Sequence, residues 1–276
     1  MSQTSPTQIP SSIESTLATM STPTIVSTVP ALQEFLSAIT PSSTLFVSVK
    51  GTNLGRYGAI AIITILIYPQ NTTYIIDMLA LAQGLPVLFS DDEDDKTPTL
   101  KSILEDSALP NVFWDLRNDA DALWALHNIK LSGVFNLQLM EVMSGADWQK
   151  RDSVRGLHYC ISCDYPMGND EMGSWLDNNS TVKLRMVGVL GDASGIGNVF
   201  SVRPVDEELV KYCVNDVEYL PRLREIYMRR LVSTNGSNAV TKVALESAKR
   251  LEEAWAAGYQ PYGKGRMVSP WKTVKG

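Results

Sequence analysis

Three apolar segments rich in β-branched residues lie close together near the start of the chain, and they constrain its fold more than any other feature. Leu45 to Lys50, Ala59 to Tyr68 and Thr73 to Met78 are predicted to be strands. The turn from Gly51 to Gly58 is rich in Gly and Asn, which predicts a hairpin between the first two strands. A further short strand is predicted at Ile25 to Thr28. The chain is therefore expected to build a sheet with an antiparallel pair.

After these strands, predicted helices alternate with predicted strands. The predicted helices are a Thr28-capped helix with Pro30 in its first turn, Pro98–Ser107, Asp119–Asn128, residues 204–231 and residues 238–257, with strands at 111–115 and 134–137. Residues 165–203 carry many Gly, Asn and Asp and are predicted to be a long irregular excursion. Strands followed by alternating helices and strands are typical of a mixed α/β sheet.

Composition divides the 276 residues into one domain and two tails. Residues 1–22 are rich in Ser and Thr and are predicted to be a disordered tail. Residues 23–258 form a single domain, for which an apolar content of 44% is sufficient. Residues 259–276 form a basic and aromatic C-terminal tail.

Charge and cysteine content restrict the location and the partners. There is no long apolar run and no signal sequence, and three cysteines do not form a disulfide scaffold, so a cytoplasmic or nuclear protein is expected, with no membrane partner. The net charge of −6 disfavours tight nonspecific binding of nucleic acid. Residues 222–276 nevertheless carry a net charge of +7. This local positive charge permits a contact with nucleic acid, or it simply keeps the faces of helices solvated. The acidic run Asp91 to Asp95 is expected to be a solvated loop.

The first long strand carries the polar residues that bear most directly on function. Side chains alternate along a strand, so Ser48 and Lys50 point to the same face. A hydroxyl and an ammonium therefore stand side by side on a face that adjoins the Gly-containing turn.

Two later segments resemble motifs of the DEDD 3′-5′ exonucleases. The stretch from Val112 to Leu123 resembles the second motif, with Asp119 at the position of a metal-binding carboxylate. The stretch from Tyr212 to Leu220 resembles the third motif in its Tyr-x-x-x-Asp form, with Asp216 as the acid. The first motif of the family is Asp-x-Glu, and here Ser48 and Lys50 stand in place of its two acids.

This resemblance implies a ribonuclease H-like fold, an α/β architecture with a mixed five-stranded sheet flanked by helices. The chain resembles the fungal branch of the DEDDy-type domains, in which a tail like Tyr259 to Trp271 also occurs. The implied metals are Mg²⁺ or Mn²⁺, held in pairs mainly by carboxylates. With only Asp119 and Asp216 left as ligands, no metal and no other cofactor is expected. Lys50 is expected to take the vacated position and to pair with Asp119 or Asp216.

Each of these residues also has a simpler interpretation. Lys50 could extend to solvent at the end of its strand, Asp119 suits a helix N-cap, and Tyr212 with Asp216 could be a surface pair. Cys160 and Cys163, with His158 nearby, suggest zinc, but a second ligand pair is lacking, so buried cysteines are the alternative.

Three functions follow as hypotheses. The first is a pseudo-exonuclease that binds single-stranded nucleic acid or a protein partner. The second is a metal-independent enzyme that uses Lys50, Asp119, Tyr212 and Asp216 for acid/base chemistry on a small molecule. The third is a residual nuclease in which Asp115, Asp121 or Glu218 replaces the lost ligands, although their side chains are expected to leave the active face.

Overall fold

The computed structural model describes residues 22–84, 98–186, 198–235 and 238–272. Its strands are β1 Thr24–Val26, β2 Thr44–Lys50, β3 Ile62–Tyr68, β4 Thr72–Asp77, β5 Asn111–Phe113 and β6 Val134–Asn136. Its α-helices are α1 Val29–Ser37, α2 Leu100–Glu105, α3 Arg117–His127, α4 Leu137–Met143, α5 Leu157–Asp164, α6 Asn169–Met186, α7 Glu207–Asn215, α8 Leu220–Asn235 and α9 Asn238–Trp255. The predicted tail of residues 1–22 lies outside this part, apart from its last residue, and so does the acidic run at 91–95.

The strands form one mixed sheet in the order β1-β4-β3-β2-β5-β6. β2 and β3 pair antiparallel from Thr44↔Tyr68 to Lys50↔Ile62, so the predicted hairpin is confirmed. β5 joins β2 in parallel and β6 joins β5 in parallel. The family resemblance implied five strands, and that count is wrong for the described residues, which form six. The short strand predicted at Ile25 to Thr28 is present as β1 and pairs with β4 at the edge of the sheet.

Helices cover both faces of the sheet, and the alternation of β2 separates the two cores. Leu45, Val47 and Val49 pack in one apolar cluster, together with side chains of α1, α2 and α3. Phe46 packs in a second cluster with side chains of α4 and α8. Ser48 and Lys50 follow Phe46 at intervals of two residues, so they share its face of the sheet. This places both polar side chains on the side that α7 also covers.

The region predicted to be irregular contains the long helix α6. This prediction was wrong because the segment has buried positions at helical spacing despite its polar composition: Trp175, Asn179 and Val182 follow one another by four and three residues. The helical stretch predicted from Pro204 also differs, since it begins at Glu207 with Asp206 as N-cap and divides into α7 and α8. The division places Asp216 at the C-cap of α7.

The described end of the chain, residues 259–272, packs on the domain. The hydroxyl of Tyr259 donates a hydrogen bond to Asn118 Oδ1 at 2.7 Å. Further along, Val268 forms an isolated antiparallel bridge with Ser153. No described helix is long and apolar enough to cross a membrane.

Candidate functional site

A cleft of about 600 Å³ opens along β2. Residues 47–51 form one wall of it, and the start of α3, the start of α5 and the end of α7 form others. The structure brings all five predicted site residues together in this cleft, namely Ser48, Lys50, Asp119, Tyr212 and Asp216.

An ion pair between Lys50 and Asp216 occupies the centre of the polar wall. The ammonium contacts Asp216 Oδ2, and the two side chains are only 17% and 9% exposed. Lys50 Nζ also donates a hydrogen bond to Ser48 Oγ at 3.0 Å, and Ser48 Oγ lies 3.4 Å from Asp216 Oδ2. The alternative in which Lys50 extends to solvent is therefore wrong, and of the two predicted partners it is Asp216 that pairs with it.

The electrostatics of the pair keep Lys50 charged. Burial by itself lowers the pKa of a lysine, but here the negative charge of Asp216 and its hydrogen bond outweigh burial and raise the pKa of Lys50 above its ordinary value. The ammonium is thus a permanent feature of the cleft at physiological pH.

Asp119 is the second predicted carboxylate, and its environment differs from that of Asp216. It is the third residue of α3, whose N-cap is Leu116, so the N-cap interpretation of Asp119 is wrong. Burial raises the pKa of Asp119 to about 7, while the nearby charge of Lys50 lowers it only in part. Near neutral pH this carboxyl group is therefore divided between its protonated and ionised forms.

Tyr212 closes the cleft on the α7 side. Its ring centre lies 5.7 Å from Lys50 Nζ, within the range of a cation–π contact. Burial raises the pKa of Tyr212 to about 12, so the phenol stays protonated. Tyr212 and Asp216 are each only 7% exposed, which means that the interpretation as a surface pair is wrong.

Two further polar residues of this region, His158 and Lys183, were not predicted to belong to the site. His158 lines the cleft, with Nε2 at 3.9 Å from Asp216 Oδ1. Lys183 Nζ lies 2.6 Å from His158 Nδ1, close enough for the ammonium to donate to the ring. Burial and the charge of Lys183 lower the pKa of His158, although Asp216 opposes them. No local sequence signal marks this contact, because it depends on how α6 packs beside α5.

Among the described residues, His158, Cys160 and Cys163 do not come together as the zinc site that was considered. Cys160 is buried and Cys163 is exposed. Ligand atoms of Glu141, Cys160 and Asp164 do lie within 4.8 Å of one another. The carboxylates of this group are already paired, however, Glu141 with Arg151 and Arg155 and Asp164 with Arg230. Burial also raises the pKa of the Cys160 thiol to about 12, which disfavours the thiolate that a metal requires.

The three acids considered as replacement ligands are held in different places. Asp115 lines the cleft, so the expectation that it leaves this face is wrong. Although burial opposes ionisation, hydrogen bonds and charges from Arg117, Arg250 and Arg266 lower the pKa of Asp115 to about 2. Asp121 is fully buried against Arg56, at 2.8 Å, and does not line the cleft, and neither does Glu218.

The C-terminal segment completes the wall opposite β2. Tyr262 and Arg266 line the cleft. Arg266 Nη2 lies 3.2 Å from Asp115 Oδ2, and its backbone carbonyl accepts a hydrogen bond from Arg117 Nη2 at 2.8 Å. These contacts fix Arg266 beside the start of α3.

Comparison with known proteins gives one family match. Residues 26–232 match a family model described as 3′-5′ exonuclease. No curated protein is similar enough to this chain to count as a relative.

Several solved structures share the fold. The Trypanosoma brucei RNase D complex with GMP superposes with a TM-score of 0.66 at 17% identity, covering 90% of this chain and 69% of that chain. The complex of the same protein with RNA U12 gives 0.64 at 16% identity, covering 89% and 79%. Brucella melitensis NrnC with bound Mg²⁺ gives 0.51 at 14% identity, covering 80% and 90%. The predicted ribonuclease H-like α/β fold is thereby confirmed.

Proposed function

Because this chain belongs to the 3′-5′ exonuclease family, as the match over residues 26–232 shows, we propose that it is a pseudo-exonuclease that binds the end of a single-stranded nucleic acid without cutting it. The observation that carries the proposal is the ion pair between Lys50 and Asp216 in the cleft. The residues concerned are Ser48, Lys50, Asp119, Tyr212 and Asp216, the remnant of a nuclease site.

The donor set does not fit a pair of catalytic divalent cations. Two-metal hydrolysis needs several oxygen ligands around ions about 3.5–4 Å apart. Here one carboxylate, Asp216, is already neutralised by an ammonium, and a second, Asp119, is partly protonated near neutral pH. Ser48 offers a neutral hydroxyl that already accepts from Lys50. A cation bound to Asp216 would have to displace Lys50 and stand beside its positive charge.

Nucleic acid is the ligand best supported by the similar structures. The Trypanosoma brucei RNase D structures contain GMP or RNA U12. A cleft of about 600 Å³ is large enough for a terminal nucleotide. A protein partner in place of nucleic acid, the fungal branch of the family, the lack of a cofactor and a cytoplasmic or nuclear location stay predictions.

The test measures metal binding and nucleic-acid binding separately. Calorimetry with Mn²⁺ is expected to show no stoichiometric site, and a 5′-labelled oligonucleotide is expected to bind equally well with and without a chelator. The labelled strand should stay intact with Mg²⁺ or Mn²⁺ present. A metal-dependent ladder of products that disappears in Asp119→Ala would overturn the proposal in favour of a residual exonuclease.

A metal-independent enzyme is the second candidate, and one observation favours it. The pKa of Asp119 is raised to about 7. The same cleft holds Tyr212, whose phenol is neutral, and His158, whose pKa is lowered. Groups that titrate near neutral pH in a cleft are suited to general acid/base catalysis. A small organic molecule that co-purifies with the protein and lies over Lys50 in a crystal structure would support this candidate. Competition of that molecule with the oligonucleotide would show that both use one cleft.

A further inference from the structure

The cleft continues into a surface formed by two segments that are distant in sequence. Val154 N–H donates to the carbonyl of Met267 at 2.9 Å, and Ser269 N–H donates to the carbonyl of Asp152 at 3.1 Å. Ser153 and Val268 form an antiparallel bridge between these bonds. We call residues 148–159 and 264–272 together the basic ribbon.

The inner end of the basic ribbon belongs to the cleft and its outer end leads away from it. Leu157 and His158 on one segment and Arg266 on the other line the cleft. At the outer end the rings of Trp148 and Trp271 meet edge to face, with centres 5.9 Å apart. A strand that leaves the cleft on this side must pass over the basic ribbon.

The charge of the ribbon is opposite to that of the whole protein. Its two segments contain six Lys or Arg and one acid, Asp152, in a chain of net charge −6. Lys150 is 79% exposed, Lys272 is 47% exposed and Arg155 is 43% exposed. Lys242 of α9 reaches the same surface, with Nζ 5.6 Å from the centre of the Trp148 ring. The side chain of Arg151 is mostly buried and forms an ion pair with the buried Glu141.

Aromatic rings stand among these cations. Tyr159 is 54% exposed and lies under the guanidinium of Arg155, at 5.1 Å from its ring centre. Tyr262, at the cleft, is 71% exposed. Cations interleaved with accessible rings are the combination by which proteins hold single strands, because the cations contact phosphates and the rings stack on bases of any sequence.

We propose that the basic ribbon binds the single-stranded nucleic acid next to the end that occupies the cleft. This inference rests on the proposed function and extends it from a site for one nucleotide to a path along which several nucleotides of the strand bind. Residues 264–272, which supply nearly half of the path, lie beyond the part of the chain that matches the family model.

The test compares oligonucleotides of two lengths. One of about 3 nucleotides can fill the cleft alone, whereas one of about 12 nucleotides also covers the ribbon. The double variant Lys150→Glu with Lys272→Glu is expected to weaken binding of the longer strand about tenfold at moderate salt and that of the shorter strand much less. The affinity of the double variant for the longer strand should also depend less steeply on salt concentration, by the amount expected for the loss of about two phosphate contacts.

A matched control carries the same change of charge elsewhere. Arg222 and Lys249 lie on α8 and α9, outside the ribbon, and like Lys150 each pairs with an acid three residues away along the chain. Arg222→Glu with Lys249→Glu should therefore leave the longer strand bound as in the parent. Tyr159→Ala should weaken the longer strand without changing the salt dependence, because it removes stacking and no charge.

The outcomes separate the two proposals. If the ribbon variant binds the longer strand as well as the control variant does, the ribbon proposal is wrong, while binding in the cleft still stands. If neither oligonucleotide, as RNA or as DNA, binds the unmodified chain, both proposals are wrong.

Discussion

The ammonium of Lys50 on β2 and the carboxylate of Asp216 at the end of α7 form a mostly buried ion pair. Each charge is stabilised by the other, because removal of one partner would leave a buried charge without the opposite charge that pairs with it. The pair thus joins the sheet to the helix that covers this face of it, in addition to filling the polar wall of the cleft.

Lys50→Met is expected to lower the free energy of unfolding by about 3 kcal/mol, since it leaves Asp216 without its partner. Urea denaturation at neutral pH measures the change. The exposed pair of Lys150 with Asp147 provides the control, and Lys150→Met should have no measurable effect. Adding Asp216→Leu to Lys50→Met should recover most of the loss. An equally large loss in the single and double variants would contradict the assigned pairing.

Asp119 is expected to make stability fall as pH rises. An aspartate has a pKa of about 4 in an unfolded chain, whereas burial raises the pKa of Asp119 to about 7. Between these two values the folded state holds more protons than the unfolded state, so the unfolding free energy decreases with increasing pH.

Asp119→Asn removes this titration. Its stability relative to the parent should therefore increase from about pH 4 to about pH 7 and then level off. Urea denaturation across this range gives the difference, in which the contributions of all other groups largely cancel. A difference that does not change with pH would show that Asp119 has the same pKa in the folded and the unfolded chain, contrary to the expected rise.

The two histidines of the chain allow a direct measurement in the cleft. Burial and Lys183 lower the pKa of His158, so it should titrate below the usual histidine range. Lys183→Met should raise the pKa of His158 and leave that of His127 unchanged. Proton NMR of the imidazole signals, assigned with His127→Gln, checks both statements. An unchanged His158 would mean that Lys183 does not contact it in solution.

Placing the two acids of the family's first motif on β2 is expected to create a metal site. Ser48→Asp with Lys50→Glu supplies two carboxylates and removes the ammonium, so Mn²⁺ should bind and shorten an oligonucleotide from its 3′ end. Ser48→Asp alone, which keeps Lys50, is the control and should stay inactive. Addition of Asp119→Ala should abolish the gained activity. A folded double variant that binds Mn²⁺ but cuts nothing would indicate that further parts of the nuclease site are lost.

The parts of the fold that depend on local patterns could be predicted from the sequence. The alternation of β2 placed Ser48 and Lys50 on one face, and the Gly-containing turn predicted the hairpin with β3. Asp119 and Asp216 were located by the resemblance of their segments to family motifs, and the structure brings them into the same cleft as Ser48 and Lys50.

The rest depends on packing between distant segments. The contact of His158 with Lys183 depends on helix α6, and the polar composition of that segment led to the prediction that it was irregular. Arg117, two residues away, keeps Asp115 ionised together with Arg250 and Arg266, and no pattern near Asp115 indicates that the last two arginines fold back onto it.

Anchoring of residues 259–272 beside the cleft has a practical consequence for work on smaller pieces of this protein. A fragment trimmed to the family-matched region would lack α9 and the wall that carries Tyr262 and Arg266. It would also expose the apolar sides of α3 and α4, which α9 covers. Expression boundaries for biochemical studies should therefore extend at least to Lys272, since a shorter piece would report on a cleft that is missing one of its sides.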